Sequence, residues 1–260
     1  MWECPDFLEL PPRARKPRAS GVTHVLDKGV PPVTLASMLE GAGELVDVIK
    51  VGWGIAYVDP LFKNRVGLCH SAEVTVSLGG TLLELAAAQG QLDALCHWAA
   101  EQGVDALEVS NGLGAMTQPR KAALVRVLAG EWTVLAETGA KDGQVPVVPE
   151  DWVAEMAADL EAGARWVIAE GRESGTVGLY DPDGAVREDL VELIAERLPL
   201  ERVIFEAPRK AQQAWFVRNL GPDVNLGNVP VDEVLALETL RLGLRADTAV
   251  VARPVHGRPR

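Results

Sequence analysis

Residues 132–175 read WTVLAETGAKDGQVPVVPEDWVAEMAADLEAGARWVIAEGRESG, and the order of patterns in this stretch decides the fold. An apolar run, Trp132–Ala136, ends in Glu137. A helical pattern follows over Glu150–Ala162, with apolar residues at three- and four-residue spacing. A second run, Arg165–Ala169, again ends in a glutamate, Glu170. Neither run alternates apolar with polar residues as a half-solvated strand does. Strands this apolar, joined through a helix, predict a parallel pair buried on both faces.

The same unit recurs along the chain. Further runs stand at Val22–Leu26, Val46–Val51, Glu73–Leu78, Asp105–Val109, Arg202–Phe205 and Asp223–Leu226, making eight in all. Helical patterns separate them at Thr81–Gln102, with a break at Gly90, and at Gln118–Ala129, Glu188–Arg197, Lys210–Leu220 and Val231–Leu242, with a shorter helix after Pro60. Eight β/α units predict closure into a single α/β domain, a (β/α)8 TIM-type barrel over residues 21–248. The alternative, an open doubly wound sheet, usually carries G-x-G-x-x-G after its first strand, and none is present. Residues 1–20 and 249–260, rich in proline and arginine, read as a loose arm and a loose tail.

The 260 residues carry a net charge of −12, which argues against nucleic acid or an anionic membrane as partner, because both are bound by clustered cations. No apolar stretch is long enough to span a bilayer. The opening Met1-Trp2-Glu3-Cys4-Pro5 has no basic region followed by an apolar run, so a cytoplasmic protein is expected. Cys4, Cys69 and Cys96 fit neither a disulfide framework nor a zinc knuckle. His24, within the first strand, reads as a satisfied core histidine, and Cys69-His70 and Cys96-His97 lack metal-ligand spacing.

In a barrel enzyme the chemistry sits where strands end and βα loops begin. Glu108, Glu137, Glu170 and Glu206 stand at or near the same end of four consecutive apolar runs. Four carboxylates cannot stay ionised together in a low dielectric without cations. Oxygen-only ligands suit a hard ion, Mg2+ or Mn2+; the plainer alternative pairs some of them with Lys28, Lys50 or Arg172. Lys28, Lys50, Lys141, Arg172, Arg209 and Lys210 also follow strand ends, a concentration that suits a small polyanionic substrate. Gly79-Gly80, Gly171, Gly175 and Gly227 could let backbone N–H groups reach its oxygens, and Asn225, Gly227 and Asn228 lie at the eighth strand, where the fold customarily holds phosphate. Trp53, between two glycines, is either a pocket wall or plain packing. Lys141 follows Glu137 by four residues in a glycine-containing loop, a position from which it could act as a general acid.

The segments LDKGVPP (26–32), KVGWG (50–54), GGTLLE (79–84), EVSNG (108–112), EGRESG (170–175), IFEAPRKAQQ (204–213) and LETLRLGLRADT (237–248) together resemble the phosphosulfolactate synthase family from about Val22 to Thr248. The resemblance implies a (β/α)8 barrel and a Mg2+-dependent addition of sulfite to phosphoenolpyruvate, giving (2R)-3-sulfolactate 2-phosphate on the way to coenzyme M or cysteate. In register, Lys141 matches the lysine proposed as acid in that family. The family usually has Asp at Asn111, Ala at Gly227, and often a second lysine in the Thr138–Lys141 loop. Two alternatives stand beside this reading: a barrel adding another nucleophile to phosphoenolpyruvate or a similar anion, and a non-catalytic member like the plant heat-stress-associated proteins. Small anions are the expected partners, and a homo-oligomer the expected assembly.

Overall fold

A computed structural model describes residues 5–114, 116–139 and 146–252. Eight strands, β1 Thr23–Asp27, β2 Val48–Val51, β3 Thr75–Leu78, β4 Ala106–Val109, β5 Thr133–Thr138, β6 Trp166–Ala169, β7 Val203–Glu206 and β8 Asn225–Pro230, close in sequence order into a barrel. Every neighbouring pair is parallel, and β8 returns to β1. Among the described residues ten α-helices surround them: α1 Pro32–Ala42, α2 Ile55–Val58, α3 Phe62–Ser71, α4 Gly80–Ala88, α5 Leu92–Gln102, α6 Gln118–Leu128, α7 Pro149–Ala162, α8 Glu188–Arg197, α9 Lys210–Leu220 and α10 Val234–Arg241.

The unbroken apolar runs have a direct explanation. Alternate strand residues face opposite sides, and both sides are buried. Ile49, Leu107, Ala136, Val167 and Phe205 face outward into one core with Leu35, Leu83, Met156, Ile194 and Phe216 of the helices. Val48, Ala106, Leu135, Ile168 and Ile204 form a separate cluster that fills the barrel. Two residues further along each of those five strands, the same inward face carries Lys50, Glu108, Glu137, Glu170 and Glu206, all buried. Parallel strands climb together, so the period of two stacks one charged layer on one apolar layer at the C-terminal mouth.

The long 81–102 pattern is two helices, broken as expected at Gly90, where φ is 68°. Three features depart from the sequence reading. Helix α1, begun by Pro32 at its first turn, was not among the helical patterns. Strand β8 starts and ends later than its apolar run, because pairing with β1 and β7 carries it through Gly227 and Asn228. The arm is anchored rather than loose: Arg13 bridges Glu238 and Asp223, Lys16 donates to the carbonyls of Ala72 and Glu73, and Arg18 pairs with Asp47. At the other end, the Thr248 hydroxyl donates to Leu240 O and Val251 N–H to Thr248 O. No helix among the described residues is long and apolar enough to cross a membrane.

Candidate active site

Lys50 rises from β2 into the barrel mouth and meets three of the four strand-end glutamates. Its Nζ lies 2.7 Å from Glu108, 3.3 Å from Glu137 and 3.2 Å from Glu206. Those carboxylates hold the lysine pKa well above its ordinary value, against a desolvation effect that is larger than any one of them taken singly. Glu170 is the fourth member, and its Oε2 has no hydrogen-bond partner among the described residues. Burial, then the neighbouring Glu137 and Glu206, push the Glu170 carboxyl well above the usual range. Carboxylate oxygens of Glu137, Glu170 and Glu206 all lie within 4.8 Å of one another. Four buried carboxylates thus face one lysine, and the excess must be met by protons or by a further cation.

Backbone amides supply part of the compensation. Glu206 accepts from the N–H groups of Gly171 and Arg172, both at 2.8 Å, and Glu108 from Gly80 N–H at 2.8 Å. These glycines therefore hold the protein's own carboxylates, not a ligand's oxygens. Their size is needed for that: a Cβ on Gly80 would lie 2.1 Å from Ser110 Oγ, and one on Gly171 2.6 Å from the Tyr180 ring. A Cβ on Gly175 would run into the Gln212 amide, 2.6 Å away, so this glycine too serves packing.

A cavity of about 210 Å3 opens above this floor, lined by Lys50, the four glutamates, Arg172, Glu173, Thr81, Asn228, and apolar Leu26, Trp53 and Leu113. Of the five expected rim cations among the described residues it receives two, Lys50 and Arg172. Lys28 is exposed and outside it. Arg209 turns towards Gly184, and Lys210 is paired with Asp247 at 2.9 Å. Lys141 lies outside the described residues. Asn225 is at the opposite, N-terminal end of β8, where its amide bonds Val22 N and three carbonyls; polarity at a strand had suggested binding, but this amide is spent on the backbone. Gly227 packs inside the barrel, with Ile204 and His24 within 3.2 Å of any added Cβ. Asn228 does reach the cavity, with its Oδ1 buried and unpartnered among the described residues. Asn111 closes a loop by bonding both N and O of Met116, so it does not alter the charge of the carboxylate floor.

His24 is fully buried, as expected of a core residue, yet neither ring nitrogen finds a partner among the described residues. Burial and the nearby Lys50 lower its pKa to about 3, which keeps it neutral. Lys121 was missed altogether. It is wholly buried on α6, and its Nζ reaches the main-chain oxygen of Glu137 at 2.6 Å, Glu155 at 2.5 Å and Asp159 at 2.7 Å. One signal was legible: Lys121, Val125 and Leu128 form one buried helical stripe.

The backbone is unusual at the same cavity. Trp53, Arg172 and Asn228 adopt φ of 50°, 56° and 52°, a left-handed conformation that costs about 1–2 kcal/mol for a residue with a side chain. Such residues gather at functional sites when the surroundings hold them in place.

The carboxylate layer has a consequence for stability. Burial, more than the opposing Lys50, raises the Glu108 carboxyl from 4.5 to about 7, and Glu170 and Glu206 shift the same way. A folded-state pKa above the unfolded value contributes stability that is complete below the unfolded pKa and lost as pH rises through the folded one. Asp59 and Asp247 shift downward, and their contributions disappear only in acid, around and below their ordinary 3.8. His24, lowered to about 3, does work the other way inside the window, losing its contribution as pH falls below its ordinary 6.5, but it is one group against three raised carboxyls. The metal-free protein should therefore melt at lower temperature at about pH 8 than at about pH 5. Differential scanning fluorimetry checks this, and a Tm that rises over that window would contradict it.

A closed parallel barrel with a charged, partly strained mouth at its C-terminal strand ends defines the class: a (β/α)8-barrel enzyme. A family model described as (2R)-phospho-3-sulfolactate synthase matches residues 11–247. The chain belongs to that family, and is an enzyme of its lyase type. It is 42% identical over 249 residues to the phosphosulfolactate synthase of Methanothermobacter thermautotrophicus, covering 94% of this chain and 96% of that protein. It is 38% identical to the Bacillus subtilis phosphosulfolactate synthase, covering 94% and 98%. Among solved structures, the Escherichia coli YdjI aldolase superposes with a TM-score of 0.53 at 12% identity, over 90% of this chain and 88% of that one; this likeness shows the shared fold alone.

Proposed function

We propose that the chain adds sulfite to phosphoenolpyruvate, giving (2R)-3-sulfolactate 2-phosphate, with the aid of Mg2+ or Mn2+. The observation that carries this reading is the corner formed by Glu137, Glu170 and Glu206, three converging carboxylates with an unpartnered oxygen on Glu170. That donor set fits a hard divalent ion and offers it no nitrogen or sulfur. Glu108, tied to Lys50 and Gly80 N–H, then serves as an anchor for the lysine more than as a ligand. When bound, the ion would supply positive charge to the substrate carboxylate as electrons move into it.

The remaining work falls to the chain. Both reactants are anions, so cationic groups must hold them together; Arg172 and Lys50 are the described cations at the cavity. The sulfur lone pair of sulfite forms a bond to the methylene carbon, and the π electrons of the double bond pass through C2 into the carboxylate as an aci-carboxylate. A proton delivered to C2 then returns the carboxylate and completes the product. Lys141 is assigned that proton from its sequence position. The ordered carboxylate floor, fixed by Lys50 and by the amides of Gly80, Gly171 and Arg172, orients the site before the reaction begins.

Sulfite-dependent loss of phosphoenolpyruvate, followed with and without chelator, tests the proposal. Activity should vanish in excess chelator and return with Mg2+ or Mn2+. Full activity in chelator would remove the metal from the reading, and consumption that ignores sulfite would remove the nucleophile.

A further inference from the structure

Among the described residues, four other than glycine take a positive φ: Trp53, Glu73, Arg172 and Asn228. Three of the four line one cavity, Trp53 and Arg172 from the loops after β2 and β6 and Asn228 from within β8. Chance placement of strained residues would not gather them so. Arg172 and Asn228 bring polar groups, for which a small polyanion is reason enough. Trp53 brings none that the substrate's charge calls for.

Trp53 is also the bulkiest side chain placed in this conformation. The Gly52 carbonyl accepts from Ile55 N–H at 3.1 Å, which makes Trp53 the first central residue of a tight turn. Positive φ at that place favours glycine. Glycines stand on both sides of it, at 52 and 54, yet the strained position itself holds tryptophan. Packing does not account for this: the residue is 41% exposed and lies outside the buried core clusters. The Trp53 backbone nitrogen lies close to Gly79, where an added Cβ would sit 2.9 Å from it, so glycine at 79 leaves room for this turn. The turn sets Trp53 at the cavity.

The cavity is divided in character. Its floor is Lys50 and the glutamates, whereas Leu26, Trp53 and Leu113 are its apolar lining residues. A substrate that is anionic at one end and an uncharged CH2 at the other is sorted by such a division. We propose that Trp53 is a specificity-determining residue: its indole is the apolar wall for the methylene end of a three-carbon unsaturated acid, and excludes acids branched at that carbon. The inference rests on the reaction proposed above and names the group that limits its acceptor.

The test compares phosphoenolpyruvate with 2-phosphoenolbutyrate, which adds one methyl group at the reacting carbon, in wild type, Trp53→Gly and Trp53→Phe. A single methylene in a fitted pocket discriminates by about 10–200-fold. Trp53→Gly should shift the kcat/KM preference towards the branched acid by at least about ten-fold, with Trp53→Phe in between. Its Tm should stay within about 3 °C of wild type, because glycine relieves the left-handed backbone. A Tm loss of about 10 °C or more would mark a packing residue and overturn the proposal. So would an unchanged preference in either variant that still turns over phosphoenolpyruvate. Sulfite-dependent turnover by wild type is read separately, so a failure of the wall is distinguishable from a failure of the reaction.

Discussion

Lys50→Met is expected to give a folded but much weakened protein with activity reduced on the order of 10³-fold, since several kcal/mol of charge organisation are lost at the reacting centre. Lys50 is the cation that touches Glu108, Glu137 and Glu206 together. Removing one partner of a buried charge cluster usually costs about 3–5 kcal/mol, because the charges left behind stay desolvated. For a chain of this size that is a Tm loss of about 10 °C. The loss should be smaller in mild acid. Below about 7, Glu108 takes up a proton in the folded state, and a neutral carboxyl no longer needs the lysine. Thermal melts at two pH values check the stability claim, and steady-state kinetics the catalytic one. A variant that melts like wild type at about pH 8 would show that another cation compensates the floor.

Lys141→Ala is expected to lower kcat by about 10²–10⁴-fold, the usual scale for a lost acid–base group, and to leave the KM for phosphoenolpyruvate near wild type. The argument is positional. Lys141 follows the end of β5 at Thr138 by three residues, and βα loops of a barrel overhang its active site. Arginine at this position should not restore activity, because guanidinium is too weak an acid to give up its proton. A near-normal kcat in the alanine variant would exclude Lys141 as the acid. The acid would then have to be sought at Lys50, the described lysine that lines the cavity, since Lys28 lies outside it.

Particular residues show how far patterns reach. Glu108, Glu137, Glu170 and Glu206 were legible as a set because each stands at or near the end of an apolar run, and parallel strands with a period of two must bring such residues to one end. Lys50 was legible for the same reason. Arg209 and Lys210 had the same kind of position after β7, yet they leave the cavity, one towards Gly184 and the other onto Asp247. Long side chains beyond a strand end go where partners are, and position in the sequence does not say where that is. Lys121 was illegible as a supporting residue because its partners, Glu155 and Asp159, come from another helix.

By itself, then, the sequence determined the barrel, its eight strands, and the ends at which a charged layer must form, since these follow from periodicities of two and of three to four residues that act locally. Only the tertiary structure decided how that charge is arranged: which carboxylates converge, that Gly80 and Gly171 serve the protein's own glutamates, that Asn225 belongs to the barrel floor, and that Trp53 is held in a strained turn beside the cavity. Those outcomes depend on contacts between residues as far apart as Lys50 and Glu206, 156 positions along the chain. Electrostatic and steric energies vary over ångströms, and distances of that kind exist only once the strands have closed.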